Sequence, residues 1–126
     1  MSKSMVEESE IPEGMSVFTL THNRKPADST VQVVLCAPGH HPKCRLQSFK
    51  AMCLAYSTAV DVAAVEDGDG TDAATISAGA AIGISTEGTL VQGQVFERNE
   101  AICLNLTTDG NAANATIFTL QMENCH

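Results

Sequence analysis

The sequence predicts an all-β protein: an antiparallel β-sandwich of the jelly-roll type, preceded by an extended N-terminal arm. Apolar residues alternate with polar ones in several short runs, and turn-forming residues separate these runs roughly every eight to twelve positions. No amphipathic helix of useful length is visible. Because successive side chains of a strand leave opposite faces, a period of two is the pattern of half-buried strands. Short strands with regular turns are typical of sandwiches and jelly rolls.

The clearest pattern lies in residues 101–122, where two alternating runs flank the turn residues Asp109, Gly110 and Asn111. Asn, Asp and Gly accept the positive φ values that tight turns require. We therefore predict a closing β-hairpin whose apolar rows form the centre of the core. The rows are Ile102, Leu104 and Leu106 before the turn and Phe118, Leu120 and Met122 after it.

Further strands are predicted at residues 17–21, 30–36, 44–54, 58–65, 74–85 and 90–96. The run 44–54 fits both a helical stripe and a strand. Flanking β segments and the lack of a helix N-cap favour the strand, and a β-bulge there would turn Phe49 inward. In the middle of the chain, the side chains expected to face the core are Val60, Val62, Val65, Ile76, Ile82 and Ile84.

The chain divides into an N-terminal arm, residues 1–29, and one β domain, residues 30–126. The arm is acidic around Pro12 and Gly14, but it contains a strand-forming patch with Val17, Phe18 and Leu20. One interpretation is a frayed terminus. The interpretation we favour is ordered docking, in which the patch adds a strand to the sheet edge of a neighbouring subunit.

Composition and charge exclude several classes of function. The formal net charge is -8, and no Lys or Arg occurs between Lys50 and Arg98. Because a phosphate backbone requires basic residues on the binding face, we expect no nucleic-acid partner. No apolar run approaches the ~20 residues that span a bilayer, so we expect no membrane partner. The start lacks an export signal, and five cysteines are an odd number, which indicates reduced thiols and synthesis in a cytoplasm.

Two thiols and two imidazoles, from Cys36, His40, His41 and Cys44, lie within one short Pro-bounded segment. Zn²⁺ takes four such ligands, but the spacing is not that of a CxxC knuckle. We interpret the segment as a turn with two exposed histidines and expect no cofactor. A zinc site, as in a small metal-binding regulator, is the alternative.

The acidic segment 66–72 begins like an EF-hand loop and offers the oxygen ligands that Ca²⁺ prefers. The twelfth position, counted from Asp67, is Ala78, which has no oxygen to offer in place of the usual Glu. We predict a solvated hairpin tip, with weak Ca²⁺ binding as the alternative.

We predict no enzymatic activity. Nucleophilic catalysis needs a base beside a Ser or Cys, but the four histidines are expected in turns, in the arm or at the C-terminus. The sequence also contains no GxSxG, HExxH, P-loop or dinucleotide-binding motif.

The order of these features resembles that of small β-sandwich structural proteins of tailed bacteriophages, in particular capsid cement (decoration) proteins and related head-fibre bases. The acidic arm is followed by APGHHPKCR at 37–45 and DGDGT at 67–71, and the chain closes with EAICLNLT at 100–107 and ATIFTLQM at 115–122. The resemblance implies a homotrimer made in the host cytoplasm and located in the virion. There it would bind the major capsid protein on the outer surface of the capsid and stabilise contacts between capsomers.

The outward row of the predicted hairpin, Cys103, Asn105 and Thr107, is small and uncharged, which suggests a subunit interface; a plain solvent face is the alternative.

A different function is a phage fibre or head-fibre module that binds a host receptor or glycan through the loops 66–72 and 107–115. The chain has no Trp and one Tyr, which argues against it because sugar sites use aromatic faces.

Overall fold

The computed structural model describes residues 17–24, 32–55, 61–78, 82–107 and 115–125, and every element in these ranges is a β-strand. The strands form two sheets in which all pairings are antiparallel, which confirms the all-β, antiparallel prediction. The strands are β1 (Val17–Arg24), β2 (Gln32–Cys36), β3 (Cys44–Ala55), β4 (Asp61–Glu66), β5 (Asp72–Ala78), β6 (Ser85–Glu87), β7 (Thr89–Leu90), β8 (Val95–Phe96), β9 (Ile102–Thr107) and β10 (Ala115–Asn124).

The first sheet has the order β1-β10-β3-β6, and β8 also pairs with β3. The second sheet has the order β2-β9-β4-β5-β7. The buried apolar residues of both sheets belong to one cluster, in which the rings of Phe49 and Phe118 stack with their centroids 6.1 Å apart. The two sheets therefore share a single hydrophobic core.

The predicted closing hairpin is wrong, because β9 and β10 belong to different sheets. Strand β9 pairs with β2 and β4, whereas β10 pairs with β1 and β3. The predicted apolar rows are nevertheless buried in the shared core, where they come from opposite sheets. Alternation fixes which side chains face the core, but it does not determine which strand supplies the backbone partners.

The predicted strand and bulge at 44–54 are confirmed. Between β3 and β10, Ser48 pairs with Gln121 but Leu46 pairs with Met122, so Gln47 is the extra residue of a β-bulge. Because of this extra residue, the alternation of β3 side chains shifts by one position, and Phe49 points into the core. A residue inserted into one strand shifts all later side chains to the other face, and here the shift brings the largest side chain of β3 inward.

Three aliphatic residues expected in the core are exposed instead. In β4 the inward residues are Ala63 and Val65, so Val62 faces outward and is 42% exposed. Ile82 makes only an isolated bridge to Cys53, and Ile84 precedes β6; they are 58% and 61% exposed. Val60 lies outside the described residues.

The predicted strand at 90–96 is interrupted. Gly93 has a φ of 83°, in the left-handed region that ends a strand, so β7 and β8 are separate elements in different sheets. The strands predicted at 30–36 and 58–65 correspond to β2 and β4 where the chain is described. The prediction of one strand at 74–85 is wrong, because β5 ends at Ala78 in the second sheet and Ser85 begins β6 in the first sheet.

Strand β1 belongs to its own chain's sheet rather than to a neighbour's. It pairs with β10 along its whole length, and Phe18 is buried in the core, so its side chain is not free to dock on another subunit. His22, expected outside any strand, lies in β1. The predicted boundary at residue 29 falls among residues 25–31, which lie outside the described part of the chain, and it stays a prediction.

Gly88 is the corner at which the chain crosses from the first sheet to the second. It lies between β6 and β7, and its backbone N donates a hydrogen bond to the Phe49 carbonyl oxygen at 2.7 Å. A Cβ at this position would lie 2.8 Å from the Thr75 carbonyl oxygen and 2.9 Å from Cδ2 of Phe49. Only glycine fits here, because both neighbours are fixed by the sheets and the core.

We predict that Gly88→Ala destabilises the protein by about 1–3 kcal/mol, since the added methyl group overpacks a filled space. Urea unfolding followed by circular dichroism measures this loss. Gly68→Ala is the matched control, because its Cβ would meet nothing closer than 3.9 Å. Equal unfolding free energies for the two variants would contradict the proposed role of Gly88.

Candidate functional site

Three loops and the C-terminal end of β10 meet at one end of the molecule, which we call the loop end. It comprises residues 37–43, 67–71 and 97–101, together with Cys125. The Gly39 N donates to the Arg98 carbonyl oxygen at 2.7 Å, and the Cys125 N donates to the Lys43 carbonyl oxygen at 3.0 Å. Most of the titratable groups singled out in the sequence are therefore brought together by hydrogen bonds between segments distant in the chain.

His41 is buried at the loop end, with 1% of its surface exposed, so the expectation of two exposed histidines is wrong for this residue. Its Nε2 lies 2.6 Å from the Glu100 carbonyl oxygen, and its Nδ1 lies 2.7 Å from the Pro42 carbonyl oxygen. His40 is half-buried. The contact that covers His41 comes from residue 100, which is far away in sequence. The turn residues around His41 could therefore not predict its burial.

The thiols of Cys36 and Cys44 flank the same turn and are buried, and Cys125 is half-buried. Cys44 Sγ lies 3.8 Å from Nδ1 of His41. Burial raises the pKa of Cys36, and burial together with the nearby thiols of Cys125 and Cys36 raises the pKa of Cys44 to about 12. Thiols with raised pKa values stay protonated at neutral pH and are poor nucleophiles.

Asp67 organises the tip of the β4–β5 hairpin. Its Oδ1 accepts hydrogen bonds from the backbone N of Asp69 at 2.9 Å and of Thr71 at 3.0 Å. The hairpin prediction is correct, but the expectation of a fully solvated tip is wrong for Asp67, which is buried. The side chain closes the turn by replacing backbone hydrogen-bond partners.

Carboxylate oxygens of Asp67, Asp69 and Glu100 lie within 4.8 Å of one another. Asp67 and Asp69 belong to the predicted acidic segment 66–72. Glu100 comes from another loop and has no counterpart in the EF-hand pattern. An open cleft of about 500 Å³ lies beside them, lined by Pro38, Gly68, Asp69, Glu97, Asn99, Glu100 and Ala101. Ca²⁺ binding by this segment stays a hypothesis.

The predicted interface row on β9 is less accessible than expected. Cys103 faces outward but is buried, and Asn105 is half-buried and donates from Nδ2 to Oε1 of Glu66 at 3.2 Å. Thr107 pairs with Val62, and its side chain lies outside the described residues. Val34, which no sequence pattern singled out, is 57% exposed on the same face next to Cys103.

Acidic groups surround this row. Burial raises the pKa of Glu66; the hydrogen bond from Asn105 lowers it, and Asp72 and Asp67 raise it further. Burial, Glu66 and Asp67 together raise the pKa of Cys103. In the first sheet, Val17 is exposed, whereas Leu20 is half-buried against the core.

No family model, no curated protein and no solved structure matches the chain. The described residues include no helix that is long and apolar enough to cross a membrane.

We predict that Asp67→Ala destabilises the protein by about 1–3 kcal/mol, because it removes a charged acceptor from two backbone N–H groups. Asp67→Asn keeps a side-chain oxygen in the same place and is expected to lose less than half as much. Thermal unfolding of both variants, with the wild type alongside, gives the comparison. Equal losses would show that the acceptor oxygen is not what stabilises the hairpin.

We also predict that the reduced protein loses stability as pH rises above about 9. The unfolded Cys44 thiol loses its proton near pH 9, whereas the folded one keeps it up to about pH 12. Between these two pKa values the unfolded state binds fewer protons than the folded state. The free energy of unfolding therefore falls with rising pH, by at most about 1.4 kcal/mol per pH unit from this thiol. Below pH 9 this contribution to stability is fully present. Urea unfolding with EDTA and a reductant should show a shallower decline for Cys44→Ala. Parallel pH profiles would contradict the prediction.

Proposed function

We propose that this protein is a viral structural protein: a jelly-roll β-sandwich that binds the outside of a phage capsid as a homotrimer and stabilises contacts between capsomers. The observation that carries the proposal is the strand order of the two sheets. Together with the sequence resemblance to capsid cement proteins, it favours a structural role in the virion and the major capsid protein as the partner.

Each step from one described strand to the next changes sheet, except the hairpin from β4 to β5. Strands β6 and β8 both pair with β3, and if they are counted as one interrupted strand, the first sheet has four strands. The second sheet also has four strands if the two-residue β7 is left out. A jelly roll has two packed four-stranded sheets joined by such crossings, so this strand order supports the jelly-roll part of the proposal. That architecture is used by viral capsid proteins, by lectins and by cupins.

The space between the sheets is filled mostly by apolar side chains, with the half-buried His22 and the buried Arg24 on the inward face of β1, and this favours a structural module over a cupin enzyme. The inward side chains of the described strands include Phe49, Phe96 and Phe118, all buried, and they pack as one cluster. A cupin site needs His and carboxylate ligands in that space. The cleft at the loop end has no aromatic side chain among the described residues that line it, which argues against a glycan-stacking surface.

The outer face of the second sheet is the surface we assign to trimer contacts. Val34 and Val62 are exposed there, on either side of the row that contains Cys103 and Asn105. Exposed aliphatic residues on a sheet face gain free energy when a neighbouring subunit covers them. A trimer then holds the shell through several weak contacts at once. After the first subunit has bound, the second and third subunits attach at high effective concentration.

We predict that the wild-type protein is a trimer by light scattering and that the double variant Val34→Glu/Val62→Glu is a folded monomer. Placing two charges in an interface is expected to raise the dissociation constant about tenfold or more per residue. Thr19→Glu, on the exposed face of the first sheet, is the control and should remain trimeric. A wild-type monomer, or a double variant that stays trimeric, would contradict the assignment.

Co-sedimentation tests the function itself. The full chain is mixed with empty heads assembled from the major capsid protein of the same genome, and saturable binding is expected. A protein that fails to bind heads but binds sugars on a glycan array would overturn the proposal in favour of the receptor-binding alternative.

A further inference from the structure

The outer surface of the first sheet carries an apolar area that the proposed function does not use. Met52 and Leu54 alternate with buried residues of β3 and are 36% and 42% exposed, and Ile117 of β10 lies opposite Met52. Ile82 and Ile84, which precede β6, are also exposed. We call these five residues the apolar face. Exposed aliphatic side chains grouped in this way mark a contact surface, because covering them removes apolar area from water.

An open groove of about 260 Å³ lies in the apolar face. It is lined by Lys50, Ala51, Met52, Ser85, Ile117 and Thr119. Among the described residues that line it, only Lys50 is charged. An apolar groove with one ammonium group beside it accepts a segment that combines apolar side chains with carboxylates.

Lys50 has no acidic partner in the described part of the chain. Its side chain is exposed and forms no ion pair, although Glu87 of β6 lies opposite it in the sheet register. Lys43 and Arg45, by contrast, each pair with a glutamate. In a chain with a formal net charge of -8, an exposed ammonium group without a carboxylate partner attracts an acidic segment.

We propose that the apolar face is the docking site of residues 1–16 of the same chain. These residues lie outside the described part of the structure, and their sequence combines four glutamates and one lysine with the apolar residues Met5, Val6 and Ile11. The carboxylates suit Lys50, and the apolar side chains suit the groove beside it. This docking is independent of the proposed capsid function.

The segment is long enough to reach the groove. It joins the described chain at Val17, which pairs with Glu123 of β10, whereas Thr119 and Ile117 line the groove. Four to six positions along β10 separate these points, which is roughly 13–20 Å at about 3.3 Å per residue. Sixteen extended residues span about 50 Å, so the distance does not limit docking.

The segment must reverse its direction before β1 begins. Strand β1 runs from Val17 toward Asn23, which pairs with Ile117, so β1 itself runs toward the level of the groove. Pro12 and Gly14 supply the reversal, because proline and glycine favour the backbone angles of tight turns. The residues before Pro12 span about 36 Å when extended, which is more than the distance to the groove.

The covalent connection favours this segment over a separate chain as the occupant. A segment joined to the sheet by a short linker is present at an effective concentration of about a millimolar. One exposed ion pair and a few apolar contacts contribute a modest affinity each, and at that concentration a modest affinity is enough.

Methyl NMR of the full chain, labelled with ¹³C at the methyl groups of Met and Ile, tests the contact directly. We expect nuclear Overhauser cross-peaks from Met5 or Ile11 to Met52 or Ile117. In Lys50→Glu the glutamates of the segment meet a like charge, and we expect the docking equilibrium constant to fall about threefold or more, seen as lost cross-peak intensity.

Lys50→Arg is the matched control, because it keeps the positive charge at the same position, and it should keep the wild-type cross-peaks. Val6→Ser/Ile11→Ser removes apolar groups from the segment, and the Met52 and Ile117 methyl signals should shift in the same direction as in Lys50→Glu. Far-ultraviolet circular dichroism and the unchanged signal of the buried Met122 establish that each variant is folded.

Three results would overturn the docking site. The first is a wild-type spectrum without cross-peaks between the segment and the apolar face. The second is equal cross-peak intensity in Lys50→Glu and Lys50→Arg. The third comes from labelled and unlabelled chains refolded together: cross-peaks found only between different chains would assign the face to a second copy. A monomer that shows the cross-peaks within one chain supports the docking and contradicts the trimer, so the two proposals fail separately.

Discussion

The burial of one apolar layer between two sheets is the constraint on which the rest of this structure depends. Strands β9 and β10 contribute three buried side chains each to this layer, from opposite sheets, and the stacked rings of Phe49 and Phe118 lie within it. Large aromatic side chains are few in this sequence, so each one contributes a large share of the buried area. The bulge in β3 and the glycine corner at residue 88 both serve the packing of Phe49.

Packing the core in this way forces the chain to change sheet at almost every step, and the changes of sheet bring loops together at one end. The loop end is therefore a product of the topology. Its contacts join residue 39 to residue 98, residue 41 to residue 100 and residue 43 to residue 125. A loop end made in this way is held by the whole fold.

The candidate surfaces divide into two kinds with different physical roles. The outer face of the second sheet offers aliphatic side chains, Val34 and Val62, which suit contacts with another protein subunit. The loop end instead buries His41 and Cys44, which contact each other, and leaves Asp69 exposed beside an open cleft. The two surfaces involve different residues.

The sequence by itself determined the strand class, the positions of most strands, the inward rows of β9 and β10, and the bulge that buries Phe49. These follow from the period of two and from turn residues, which are local properties of the chain. Only the tertiary structure decided that β9 and β10 lie in opposite sheets, that Phe18 belongs to its own core, and that His41 is buried against residue 100. Each of these depends on which distant segment supplies the neighbour, and local alternation carries no information about that choice.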